Sequence, residues 1–232
     1  DRFHPAKHRP SCVDMPRRYY TPREVAEHDR AEDCWVSFFG KVYDLTPLLE
    51  AHKDILAQPI IDHAGRDISH WFDPLTMDVK THVNPATELK SYYTPMGRFI
   101  HVPPAEPDVS WDNSFETPWW KDESFVVGTL TQKTRALKVK NMLSRQEHRL
   151  EVCSEETMEE ILNRYLDFNA HAASYTWKRT DSLEVGRVLD MGQNLEENGI
   201  KDERPQFDDV GIDDEYYIPT VHLYFSDDLT VA

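Results

Sequence analysis

Eleven histidines, three cysteines and six tryptophans are the side chains here whose chemistry reaches beyond packing. Histidine is the commonest metal ligand and the side chain that changes charge near neutral pH. His52, His63, His70 and His82 follow one another closely, but a histidine alone is more often a hydrogen-bonded surface residue than a ligand. The cysteines, Cys12, Cys34 and Cys153, form no Cys-x-x-Cys pair and are odd in number. That argues against a zinc site or a disulfide framework and fits a reducing, cytosolic setting. No nucleophile elbow, dinucleotide fingerprint, phosphate loop or His-Glu-x-x-His motif occurs, so the chain reads as a non-enzyme. The other candidates are aromatic. Trp111, Phe115, Trp119 and Trp120 stand among Pro103, Pro104, Pro107 and Pro118; aromatics in such a stretch pin it onto its own domains or serve as anchors for docking to a protein partner.

The elements that must carry these residues are legible in outline. Thr21-Pro22-Arg23-Glu24 reads as a helix start with a capping box and proline at the first position. Residues 34–39 and 41–45 read as strands of a hairpin cornered at Gly40-Lys41, and Thr46-Pro47 opens a second short helix. Residues 60–72 carry a helix-loop segment. From Phe125 the pattern alternates, with strands expected at 125–130, 136–140, 148–152, 174–177 and 221–225. Between them Ser154 is expected to cap a helix whose apolar face is Met158, Ile161, Leu162, Tyr165 and Leu166. Lys201 to Pro219 reads as an acidic loop insertion. The expected organisation is an extension over 1–18, a first domain over 19–104, a Pro/aromatic linker over 105–124 and a second domain over 125–232, containing the insertion 201–219. The hairpin, single helix and later strands of the second domain resemble the ubiquitin-like β-grasp. The net charge of −16 argues against binding nucleic acid through its backbone. No run of 18 apolar residues occurs, so no membrane span is expected.

The segment from Tyr20 to Phe72 resembles the cytochrome b5 family. Asp33-Cys34-Trp35-Val36, Gly40-Lys41-Val42-Tyr43-Asp44-Leu45-Thr46 and Ala64-Gly65-Arg66-Asp67-Ile68-Ser69 carry the likeness. The fold it implies is α+β, a haem slot with axial ligands entering from opposite sides, followed here by the β-grasp domain. The resemblance places His52 at the first ligand position, with Lys53-Asp54-Ile55 where the family has Pro-Gly-Gly. It places Met77 at the second, with His82 as the preferred alternative. The cofactor implied is a weakly or redox-dependently held haem. His70-Trp71-Phe72-Asp73-Pro74, the stretch Pro95 to Pro104, Pro118-Trp119-Trp120, the stretch His171 to Lys178 and Leu195 to Ile200 narrow the likeness to a group of cytochrome b5 domain-containing proteins of ciliated eukaryotes. That closer resemblance implies a structural or regulatory subunit of the motile-cilium axoneme. Its partners would be radial-spoke proteins, with no nucleic acid or membrane contact, and its place the cytoplasm and cilium. The other function implied is a cytochrome b5-type electron carrier.

Overall fold

The computed structural model describes residues 18–83, 85, 88–106, 108–109, 111, 113–180, 185–213 and 216–225. Cys12 and most of the 1–18 extension lie outside the described residues, as do residues 226–232. Among those described, no helix is long and apolar enough to cross a membrane.

In the first domain β1 (Tyr19–Tyr20) leads into α1 (Pro22–Glu27). The Thr21 hydroxyl accepts from the Glu24 N–H, and the Glu24 carboxylate accepts from the Thr21 N–H. This is the capping box the sequence predicts. β2 (Asp29–Arg30), β3 (Asp33–Phe38) and β4 (Lys41–Asp44) follow as antiparallel neighbours. Their tight corner takes Phe39 and Gly40 through φ of 43° and 76°, the left-handed pair that a two-residue hairpin requires. α2 (Thr46–Ala51) and α3 (Gln58–Ile61) each hold a proline in the first turn, where its missing N–H leaves no bond unmade. Two small hairpins come next: β5 (Phe72–Asp73) with β6 (Asp78–Val79), and β7 (Thr81–Val83) with β8 (Lys90–Tyr92).

β9 (Val126–Leu130) corrects the expected domain boundary. It lies inside the first sheet, whose order is β1-β9-β4-β3-β2, parallel to β1 and antiparallel to β4. Residues 105–124 are therefore an excursion of the first domain and not a link between two domains. Gly128 makes the pairing possible: a Cβ there would meet the Tyr20 ring at 2.6 Å and the Arg18 carbonyl at 2.9 Å, so only a residue without a side chain admits β1.

The second domain starts at β10 (Thr134–Asn141), which pairs antiparallel with β11 (Glu147–Cys153). α4 (Met158–Tyr165), β12 (Tyr175–Thr180), β13 (Val185–Val188), α5 (Arg204–Asp209) and β14 (Thr220–Phe225) complete it. The sheet order is β11-β10-β14-β12-β13, with β14 parallel to β10 and the other pairs antiparallel. Met158, Ile161, Leu162 and Tyr165 of α4 share one core with Leu137, Val139, Leu150, Val221 and Leu223. Two expectations are corrected. Thr157, not Ser154, caps α4, in a capping box with Glu160; the Ser154 hydroxyl donates to the Lys133 carbonyl instead. The insertion expected as a loop contains α5, started by Pro205 in its first turn.

The two domains meet through charge. Arg164 of α4 is buried; its Nε donates to both Glu156 oxygens at 2.7 and 2.9 Å, and another of its nitrogens pairs with Glu24 of α1. In return Arg18 donates to Glu160 at 2.7 and 3.1 Å. The acid of each capping box thus holds an arginine of the other domain.

Candidate functional site

His52 ends α2. Its N–H donates to the Leu48 carbonyl at 3.0 Å and its own backbone is extended. Asp54 then accepts from the Leu56 N–H at 2.9 Å and turns the chain into a short 3-10 helix and α3. The half-buried His52 ring stands perpendicular to that of His101, with centroids 5.7 Å apart. His101 adopts a left-handed φ of 69° and stacks on Phe115 at 4.1 Å, with Trp111 edge-on to Phe115 at 6.3 Å. Together with Asp54, Leu56, Ile100 and Ser114 these rings enclose a cavity of about 340 Å³. His101 has no counterpart in the sequence reading. Its Nδ1 accepts the Trp119 backbone N–H at 3.0 Å, which leaves the ring proton on Nε2 in the neutral form.

The expected second ligands are elsewhere. Met77 occupies the turn between β5 and β6 with φ of 55° and is 40% exposed. Its N–H donates to the Asp73 carbonyl at 2.8 Å. His82 is exposed on β7, its ring 5.6 Å from that of Tyr93, and lines a separate cavity with Lys80, Tyr92 and Tyr93. Neither Met77 nor His82 lines the His52 cavity.

Trp119 and Trp120, which the sequence offers either as packing on their own domain or as partner anchors, are core residues, 0% and 5% exposed; the anchor reading does not hold for them. Trp119 sits among Tyr43, Phe72 and Phe99, with ring centroids 6.0 to 6.4 Å away. Burying such a side chain contributes about 4–6 kcal/mol before entropy is counted, and no exposed docking strip competes with that. The indole N–H groups of Trp71 and Trp119 are buried without a partner, a cost accepted for the apolar contact. Trp120 fares better: its Nε1–H donates to Asp78 Oδ1 at 3.1 Å, and Lys121 pairs with Asp78 Oδ2 at 2.7 Å. Burial acts against the Asp78 charge, but the Lys121, Val79 and Trp120 hydrogen bonds outweigh it and hold the carboxyl below its ordinary value. Of the four aromatic anchors, only Trp111 and Phe115 remain at a cavity wall.

Haem requires an apolar slot and a ligand on each face of the ring. His52, a half-buried imidazole on a cavity, fits the ligand requirement for one face of the ring. The arrangement does not bring Met77 or His82 opposite it, and His101 would have to give up the Trp119 hydrogen bond's tautomer to ligate through Nε2. Among the described residues no group of three or more His, Cys, Asp or Glu side chains is placed to hold a metal ion. Cysteine chemistry is also closed off at Cys34 and Cys153, since burial above all pushes both thiols up to about 12, far from the thiolate that reacts.

Residues 21–130 match the model of the cytochrome b5-like haem/steroid binding domain, a span that ends with β9. A Xenopus laevis protein, cytochrome b5 domain-containing protein 1, is 57% identical over 92% of this chain and 96% of its own length. The human protein of the same name is 51% identical over 95% of each. A solved cytochrome b5 of Ostreococcus tauri virus 2 is 39% identical over 22% of this chain and 62% of that one, at a TM-score of 0.20, too slight to bear on the fold. The relatives cover both domains and not the haem-type segment alone, so the chain belongs to the cytochrome b5 domain-containing protein 1 family.

Proposed function

We propose that this chain is a non-enzymatic subunit of the motile-cilium axoneme, associated with radial spokes, in which the two domains dock as one body. The observation that carries the reading is the filled interior of the first domain. Trp71, Phe99, Trp119 and Trp120 occupy it as continuous core, and the second domain is locked on through Arg164. A chain built this way presents surfaces. The strand order of the second sheet, with a parallel central pair flanked by antiparallel strands, supports a ubiquitin-like β-grasp as its docking unit. Tagged full-length chain in ciliated cells tests the proposal. The expected outcome is retention on axonemes after detergent extraction; release with the soluble fraction overturns it.

The alternative is a haem-binding electron carrier of cytochrome b5 type, favoured by His52 on its cavity. Haemin titrated into the full chain, oxidised and then reduced with dithionite, decides it. A saturable Soret band that His52→Ala abolishes supports the carrier. A spectrum unchanged by that substitution removes His52 from the ligand set.

A further inference from the structure

We propose that the second domain carries an anion-binding pocket floored by Arg135, built for a small oxyanion bearing phosphate or carboxylate groups. Arg135 lies on β10 and is 5% exposed. A buried charge is costly unless an opposite charge and hydrogen bonds meet it. Arg135 is met only in part. Among the described residues its guanidinium makes one hydrogen bond, from NH2 to the Lys201 carbonyl at 2.9 Å, and no carboxylate forms an ion pair with it. Burial pushes its pKa down from the ordinary value, and neighbouring Arg204 adds to that, while Asp202 acts against it.

Asp202 is the obvious counter-charge, but it is committed elsewhere. Arg204 grips it through Nε at 2.9 Å and NH2 at 2.8 Å, and Lys133 reaches it at 2.6 Å. The Arg204 hydrogen bond foremost holds the Asp202 carboxyl well below the usual carboxylate range. Arg204 is itself anchored to the Thr134 carbonyl at 2.7 Å, which fixes its plane before any ligand arrives.

A cavity of about 210 Å³ opens beside Arg135. Among the described residues Arg149, Lys201 and Arg204 share its wall with Asp202 and Glu203. The volume suits several waters, at roughly 30 Å³ each, or one small oxyanion. Guanidinium groups present paired N–H donors matched to phosphate and carboxylate oxygens. An oxyanion here would supply the charge that Arg135 lacks. The pocket shares no residue with the His52 cavity or with the core of the first domain, so it stands whether or not either reading above does.

Full-length chain is melted and titrated calorimetrically in inorganic phosphate, in citrate and in chloride at matched ionic strength. The expected result is saturable one-to-one binding of phosphate or citrate and a melting temperature that rises with it. Binding of either supports the site, and the preferred one names the head group. Lys201→Gln, at an exposed position on the pocket wall, is expected to keep the fold and weaken binding about tenfold, the loss of one charge-assisted contact. Arg135→Met is expected to lose the anion response while melting no lower than the parent chain in chloride, because an uncompensated charge has gone. Coincident melting in all three salts overturns the proposal. So does a Lys201→Gln protein that binds as tightly as the parent, which keeps the test decisive if Arg135→Met does not fold.

Discussion

The interior around Trp119 and the domain contact around Arg164 are both buried and both join residues far apart in the chain, yet they are stabilised by opposite means. Around Trp119 the contacts are apolar and without fixed direction, so the core tolerates two indole N–H groups with no partner. Around Arg164 each charged group is met. Glu156 takes two hydrogen bonds from Arg164 and one from the Cys153 N–H at 2.9 Å. Glu24 and Glu160 each close a capping box and bind an arginine of the other domain. Apolar packing degrades by degrees when it is trimmed. A buried ion cluster fails at once when one member is removed, since the others are left charged and dry. The difference assigns roles: the aromatic interior gives the first domain its bulk stability, and the ion cluster fixes how the domains sit.

The largest effect is therefore expected at Arg164. Arg164→Ala leaves Glu156, with a side chain 3% exposed, buried beside no cation, and is expected to cost about 3–5 kcal/mol in urea unfolding. Its pH dependence carries a sign. Burial already raises the Glu156 pKa above its ordinary 4.5 against the pull of Arg164, and losing the arginine raises it further. A group whose folded pKa is raised contributes stability at low pH and loses it as pH rises through that value. The deficit of Arg164→Ala is expected to widen between pH 5 and pH 8. A deficit flat across that range would show that Glu156 is not the group left exposed to the penalty.

Trp119→Ala is expected next, at about 3–5 kcal/mol, toward the lower end because the substitution also removes an unpartnered N–H. Trp119→Phe keeps most of the apolar contact and loses that same N–H, so it is expected to cost less than half as much. Thermal melts of the two variants separate packing from polarity: equal losses would mean that the indole's shape, not its apolar area, holds the interior. Thr21→Ala is smaller again. It removes one capping hydroxyl, at about 1 kcal/mol, and loosens the carboxylate that Arg164 needs. Its effect should shrink in an Arg164→Ala background, which a double-mutant cycle reads directly.

What the sequence disclosed follows the reach of its signals. The Thr21 capping box, the corner at Gly40 and the alternation along β10 are local patterns, set by residues within one or two turns of each other, and each was legible. The Thr157 and Glu160 box was equally local, but Ser154 with its two following glutamates offered a competing start. β9 was legible as a strand and not as a member of the first sheet, because that depends on β1, a two-residue strand with no pattern of its own. The fate of Trp119 and Trp120 stayed open between own-domain packing and partner docking for a similar reason. Prolines mark irregular backbone but say nothing about which surface the aromatics between them cover. At the candidate site the family likeness placed His52, while His101 lay within the stretch Pro95 to Pro104 with nothing to mark it as a neighbour of His52. The Glu24 to Arg164 pair, 140 residues apart, leaves no trace in any window.

The smallest expected effect tests which force holds the excursion 105–124 to the first domain. Asp78 binds both Trp120 and Lys121, with side chains of Lys121 and Asp78 42% and 36% exposed. Asp78→Asn can keep an oxygen for the Trp120 N–H and lose the ion pair. Solvent screens a pair this open, so the loss is expected to be at most about 1 kcal/mol and to fade in high salt. The sign with pH is opposite to that of Glu156. Asp78 sits below its ordinary 3.8, so its contribution is present above that value and lost as pH falls through the depressed one. Parent and Asp78→Asn stabilities should therefore converge on acidification below pH 3.8 and differ modestly above it. If Asp78→Asn costs as much as Trp119→Ala, the excursion is held by charge as the domain contact is, and the division between an apolar interior and an ionic interface no longer stands.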